Sequence, residues 1–148
     1  MQAARQRRLY IQEVSVRDGF QIEPRFIPTE QKIDLVNRLA RTGLAKIEVT
    51  SFTSPKAIPA LADAEAVMRG IDRVPGVEYA ALVPNVRGCE RALETGVDEI
   101  NLVMSASASH NMANLRMTRE QSLAQFTQIV GLVASRAHIN ASLSTSFG

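Results

Sequence analysis

The chain has 148 residues, of which 45% are hydrophobic and 22% charged, with a net charge of +2. That length supports one domain with a substantial core; the composition excludes intrinsic disorder, and no stretch is apolar for long enough to span a membrane. The single cysteine, Cys89, excludes an intrachain disulfide framework and suits a reducing, cytoplasmic compartment. Much of the positive excess sits in Arg5, Arg7 and Arg8, within a polar tail over residues 1–8. Without interleaved aromatics or a sustained basic face, that tail does not point to nucleic acid, and no apolar segment follows it to make a signal peptide.

The run Leu9-Tyr10-Ile11-Gln12-Glu13-Val14 predicts a first, buried strand over about 9–15. It leads into Val16-Arg17-Asp18-Gly19-Phe20-Gln21-Ile22-Glu23, where Gly19 permits a sharp turn at positive φ. Arg17 and Asp18 then stand at the strand's C-terminal mouth, beside Gln21 and Glu23. That mouth is where parallel α/β sheets bind ligands. A guanidinium beside a carboxylate offers one group for an anion or enolate and another for a cation. The competing reading is a solvated loop in which Arg17 and Asp18 merely pair with each other.

Pro28-Thr29 announces a helix, with Thr29 as N-cap and an apolar face of Ile33, Leu35, Val36, Leu39 and Ala40; Gly43 suits the position past its end. A second strand follows from about Leu44 to Thr50. Glu48 is anomalous there: a carboxylate inside an apolar strand must be paired or change protonation state, so it is expected to face a polar centre. After Ser51-Phe52-Thr53-Ser54-Pro55-Lys56, a helix over 59–71 buries Ala60, Ala64, Val67 and Met68. Pro75-Gly76 turns the chain into a third strand over 79–83, and a short helix over 88–94 closes at Gly96. A fourth strand over 99–104 ends in a small-residue run and a loop carrying His110, Asn111 and Asn114. Thr118-Arg119-Glu120-Gln121 reads as a capping box for a helix to about Ala137, with Leu123, Phe126, Ile129, Val130 and Val133 inward, before a fifth strand over 139–144.

Four β-α units of about 30 residues each plus a final strand imply a parallel sheet covered by helices. Two architectures fit. One is a complete five-stranded doubly wound sheet. The other is the first five strands of a TIM (β/α)8 barrel, apparently truncated, since such barrels run to about 250 residues. Periodicity does not choose between them. In the barrel reading, residues 9–148 form an incomplete catalytic domain behind the tail over 1–8.

Arg17-Asp18-Gly19-Phe20-Gln21, Ile47-Glu48-Val49-Thr50-Ser51-Phe52-Thr53-Ser54-Pro55-Lys56, Leu82-Val83-Pro84-Asn85 and Ser146-Phe147-Gly148 together resemble the hydroxymethylglutaryl-CoA lyase family of metal-dependent barrel enzymes. The resemblance is spread over about residues 8–148, and the Thr-Ser-Phe-x-Ser-Pro-Lys piece is its more specific marker. Isopropylmalate- and citramalate-type condensing enzymes look similar around Arg-Asp-Gly but usually carry Glu where this chain has Phe20.

The resemblance implies cleavage of 3-hydroxy-3-methylglutaryl-CoA, or of a related 3-hydroxy-3-methyl acyl-CoA, at a Mg²⁺ or Mn²⁺ held partly by Asp18. It implies Arg17 as catalytic and substrate-binding, Glu48 as a catalytic group that orients Arg17, and Gln21 as substrate-binding. It further implies an acyl-CoA partner and a homodimer. The family completes its metal site with a His-x-His pair and an Asn on later strands, and adds a loop Cys; these positions do not occur in the 148 residues. The chain alone is therefore expected to be inactive.

Other residues are expected to be structural. Cys89 reads as a small hydrophobe, His138 as a residue of the opposite, stability end, Lys56 as exposed, and Asn111 and Asn114 as capping or turn residues. His110, near the mouth, can reach substrate or simply order its loop. Outside the enzyme class, the same sequence admits a non-catalytic doubly wound anion-binding module, or an interaction segment whose sheet edges await a complementing chain.

Overall fold

The computed structural model describes residues 9–147; the basic tail over 1–8 lies outside them. In chain order these residues form β1 (Gln12–Glu13), a π-helical turn (Ser15–Gly19), α1 (Thr29–Leu39), β2 (Lys46–Ser51), a 3-10 turn (Pro59–Leu61) and α2 (Ala64–Gly70). There follow β3 (Glu78–Leu82), α3 (Val86–Leu93), β4 (Glu99–Ser105), α4 (Ala108–Leu115), α5 (Arg119–Val133) and β5 (His138–Ser144). The five strands pair in parallel in the order β1-β2-β3-β4-β5. A doubly wound sheet reverses strand order at a switch point and places helices on both faces. Here every strand pairs with its neighbour in sequence, which is the order of a (β/α) barrel wall. The doubly wound alternative is thereby excluded: the five strands form a half-barrel, as expected of the first five strands of a TIM barrel.

Strand alternation separates two faces. Ile47 and Val49, Tyr79 and Ala81, and Ile100 and Leu102 pack in one buried cluster with Val36 and Ala40 of the first helical layer, Val67 and Met68 of α2, Cys89 and Ala92 of α3, and Ile129 and Val133 of α5. Each fully buried Ile, Leu or Val contributes roughly 1.5–3 kcal/mol, so this convex layer carries most of the stabilisation. Cys89 belongs to it, and burial pushes its thiol up from the ordinary value.

The concave face is polar instead. At its floor, Lys46 Nζ donates to Glu99 Oε2 at 2.5 Å and lies 3.0 Å from Glu78 Oε2, while Glu78 Oε1 meets His138 Nδ1 at 2.7 Å. His138 thus sits at the stability end, as its sequence position implies.

Several elements depart from the sequence-based expectations. The first strand is two residues long rather than seven, and Leu9, Tyr10 and Ile11 are exposed, because β1 is an edge strand paired only to β2. Gly19 does not adopt positive φ; it ends the π-helical turn, whereas Gly43, Gly76 and Gly96 do take positive φ where turns were expected. The N-cap of α1 is Pro28, and Thr29 instead donates from Oγ1 to Asp63 Oδ2 at 2.8 Å. Lys32, on the inward side of α1, is buried with Nζ bonded to Ala60 O and Asp63 Oδ1, both at 2.6 Å.

The segment expected as one helix over 59–71 is divided into a 3-10 turn and α2, and Ala60 is only half-buried. The segment with His110, Asn111 and Asn114 is not a loop but α4, N-capped by Ser107. The Thr118–Gln121 capping box forms as expected, but α5 ends at Val133, and Leu123 and Val130 face outward. β5 is an exposed edge. No helix among the described residues is long and apolar enough to cross a membrane.

Two predictions follow from the packing. A Cβ at Gly88 would lie 2.8 Å from the Phe52 carbonyl oxygen, where α3 crosses close to the end of β2. Gly88→Ala should therefore cost about 1–3 kcal/mol in denaturant unfolding, as overpacking does. At the floor, burial alone would raise Glu78, but the hydrogen bonds from His138 and Lys46 outweigh it and hold the carboxyl below its ordinary value of 4.5. Burial alone would lower Lys46, but Glu99 and Glu78 together raise it above 10.5. A depressed carboxyl adds stability that is complete above its unfolded pKa and lost as pH falls through the folded value. Glu78→Gln should accordingly flatten the decline in melting temperature below about pH 4.5.

Candidate active site at the strand mouth

The site begins with the break after β1. Val14 ends the extended segment, and the amides of Arg17 and Asp18 both donate to its carbonyl, at 3.0 and 2.8 Å. This tight turn buries Val16 in the core and swings Arg17 over the concave face. There Arg17 Nε donates to Glu48 Oε1 of β2, and Arg17 Nη1 donates to Asp18 Oδ1 at 2.7 Å. The side chain of Glu48 is 5% exposed and that of Arg17 17%, whereas that of Asp18 is 65% exposed. The geometry thus unites three of the sequence-predicted residues. Arg17 and Asp18 do pair with each other, but within a larger network anchored by a buried carboxylate.

Glu48 is satisfied on both oxygens. Asn101 of β4 donates from Nδ2 to Glu48 Oε2, and Asn140 of β5 donates from Nδ2 to Asn101 Oδ1 at 3.1 Å. The result is one polar line, Asp18–Arg17–Glu48–Asn101–Asn140, running across the concave face from the mouth of β1 to β5. Asn101 and Asn140 escape a sequence reading that looks for charges. The available signal is Asn101 itself, a polar residue in an apolar strand and two residues from Glu99, as Glu48 is two residues from Lys46.

Gln21 does not join this line. It is exposed beyond the π-helical turn and lines a cleft of about 420 Å³ with Glu23, Phe26 and Pro59. His110 lies at the mouth of β4, where its Nδ1 is 2.7 Å from Ser105 Oγ, itself 2.8 Å from Ser144 Oγ. Asn111 is buried and structural: its Oδ1 accepts from Ser105 N, and its Nδ2 donates to Met117 O and Ser122 Oγ. Lys56 is exposed and lines a cleft of about 640 Å³ with Arg87 and Arg91.

Among the described residues, two places around this polar face offer oxygen ligands to a cation. Asp18 keeps Oδ2 free of hydrogen bonds among the described residues, and a hard carboxylate oxygen on an exposed loop suits Mg²⁺ or Mn²⁺. It supplies one ligand. The other place is the floor, where ligand atoms of Glu78, Glu99 and His138 lie within 4.8 Å of one another and could hold a metal ion. There the Lys46 ammonium bonds one oxygen of each carboxylate, while the buried Glu99 Oε1 has no hydrogen-bond partner among the described residues. The floor lies at the N-terminal ends of the strands, away from the Arg17–Asp18 mouth.

The family model described as HMGL-like matches residues 8–147. The hydroxymethylglutaryl-CoA lyase YngG of Bacillus subtilis is 51% identical over 144 residues, covering 96% of this chain and 48% of that protein. The cytoplasmic 3-hydroxy-3-methylglutaryl-CoA lyase of Homo sapiens is 42% identical over 130 residues, covering 88% and 34%. A solved HMG-CoA lyase from Acinetobacter baumannii, in complex with coenzyme A and 3-methylmalate, superposes with a TM-score of 0.92 at 51% identity, over 95% of this chain and 46% of that one. The chain thus spans about half the length of the bacterial relatives it matches, and less of the human one. By sequence and by fold together, it belongs to the HMGL-like family.

Proposed function

We propose that these residues form the N-terminal part of a divalent-metal-dependent lyase that cleaves 3-hydroxy-3-methylglutaryl-CoA into acetyl-CoA and acetoacetate. The observation that carries the reading is the Arg17–Glu48 pair at the strand mouth with the Asp18 carboxylate beside it, in a chain 51% identical to a hydroxymethylglutaryl-CoA lyase. Asp18 would hold the cation through its free oxygen, the remaining ligands coming from substrate, water and residues beyond this chain. When bound, the metal would supply the Lewis acidity that favours ionisation of the substrate's tertiary hydroxyl.

The chain's own residues bind and orient. As the hydroxyl proton leaves, the C–O bond becomes the ketone of acetoacetate. The electron pair of the breaking C–C bond passes into the thioester, whose enolate takes up a proton to give acetyl-CoA. Negative charge therefore grows on the thioester oxygen. Arg17 meets it with Nη2, which bonds no protein acceptor among the described residues, while Nε and one Nη1 hydrogen are held by Glu48 and Asp18. Glu48 fixes the guanidinium, so the donor costs little reorganisation when charge develops. Gln21, on the exposed rim, would contact the acyl-CoA outside this centre.

In the full-length protein, Asp18→Asn should abolish metal-supported cleavage while leaving the far-UV spectrum and melting temperature near wild type. Chelation should likewise abolish turnover, and added Mg²⁺ or Mn²⁺ should restore it. Arg17→Gln should lower kcat by about 10²–10³ with a much smaller change in KM, since its charge is needed in the transition state. Full turnover by Asp18→Asn at ordinary metal concentration would remove this reading.

A further inference from the structure

Glu48 lies between two donors of different kinds. Arg17 bonds one oxygen from the reactive mouth, and Asn101 bonds the other from β4, two strands away. Asn101 is itself buried, and its amide has no freedom to turn over: Asn140 donates to Oδ1, which leaves Nδ2 to face Glu48. A carboxylate bonded on one side only can rotate about its terminal torsion, which is broad. Bonded on both sides, it presents Oε1 to Arg17 in one orientation. Asp18 draws on the same guanidinium, so the orientation of Glu48 governs how Arg17 is shared between the two carboxylates.

We propose that Asn101 is a positioning residue for the lyase reaction, holding Glu48 in the orientation that aims Arg17, and that Asn140 sets the direction of the Asn101 amide. The proposal rests on the lyase reading above. It assigns to β4 and β5 a role in the chemistry, although neither strand contributes a group that touches the reacting atoms. Loss of an outer partner that orients a metal ligand typically costs about 10–100-fold, and a loss of that order is expected where the oriented group is Arg17.

The test uses the full-length protein and two independent readouts. The first is turnover of 3-hydroxy-3-methylglutaryl-CoA by Asn101→Leu and by Asn101→Asp, which is nearly isosteric but replaces the donor with an acceptor beside Glu48. Both should lose about 10–100-fold in kcat with KM changed by less than about twofold. Asn140→Ala, one hydrogen bond further from Glu48, should show a smaller loss in the same direction.

The second readout does not depend on activity: solvent exchange of the Arg17 Hε proton, followed in ¹⁵N-arginine-labelled protein and assigned by its disappearance in Arg17→Gln. Wild type should show a protected Hε, and the Asn101 variants should exchange it about tenfold faster or more. A folded Asn101→Asp or Asn140→Ala protein with wild-type kcat and wild-type Hε exchange would overturn the proposal. If wild type does not cleave this substrate, the lyase reading fails alone, and Hε exchange still decides whether Asn101 holds the Arg17–Glu48 pair.

Discussion

The site depends on a buried carboxylate. Glu48 sits on the concave face of the sheet, out of water, and a charge there is tolerated only when paired and hydrogen-bonded. Removing one partner of such a pair typically costs about 3–5 kcal/mol, because the other charge is left behind. Glu48 therefore dictates what surrounds it. A guanidinium must reach it from the end of β1, and a donor must reach its second oxygen from β4. The tight turn after Val14 is what allows Arg17 to arrive, and burial of Val16 in the convex core anchors that turn.

The two faces of the sheet divide the labour. The convex face carries the apolar residues that hold α1, α2, α3 and α5, and so supplies rigidity. The concave face spends that rigidity on polar groups. Its floor pairs Lys46 with Glu78 and Glu99, and the next layer holds Glu48 and Asn101. Barrel interiors are commonly filled with branched apolar side chains. Here successive polar layers lead upward to a mouth where Asp18 alone of the three site residues is largely exposed. That gradient suits the proposed centre, in which one group would meet a metal and water while its neighbours stay fixed.

How much of this the sequence disclosed follows from the range of the forces involved. Glu48 was legible because a carboxylate in an apolar strand has few physical explanations. The helix ends at Gly43 and Gly96, the turn at Pro75-Gly76 and the Thr118 capping box were legible because they are local. The length of β1 was not, since the exposure of Leu9, Tyr10 and Ile11 depends on how far the neighbouring strand extends. Gly19 looked like a left-handed turn, yet the chain leaves the strand through a helical turn that needs no positive φ. Asn101 and Asn140 were hidden for a further reason: their roles exist only in the register between β4 and β5.

The central claim is that Arg17 and Glu48 act as one unit. A double-mutant cycle on turnover in the full-length protein tests it most directly, with Arg17→Gln, Glu48→Gln and the double variant compared with wild type. Residues acting as a unit are strongly non-additive. The account predicts that each single variant loses nearly as much kcat as the double. Losses that simply multiply, with the double variant far below either single one, would contradict it.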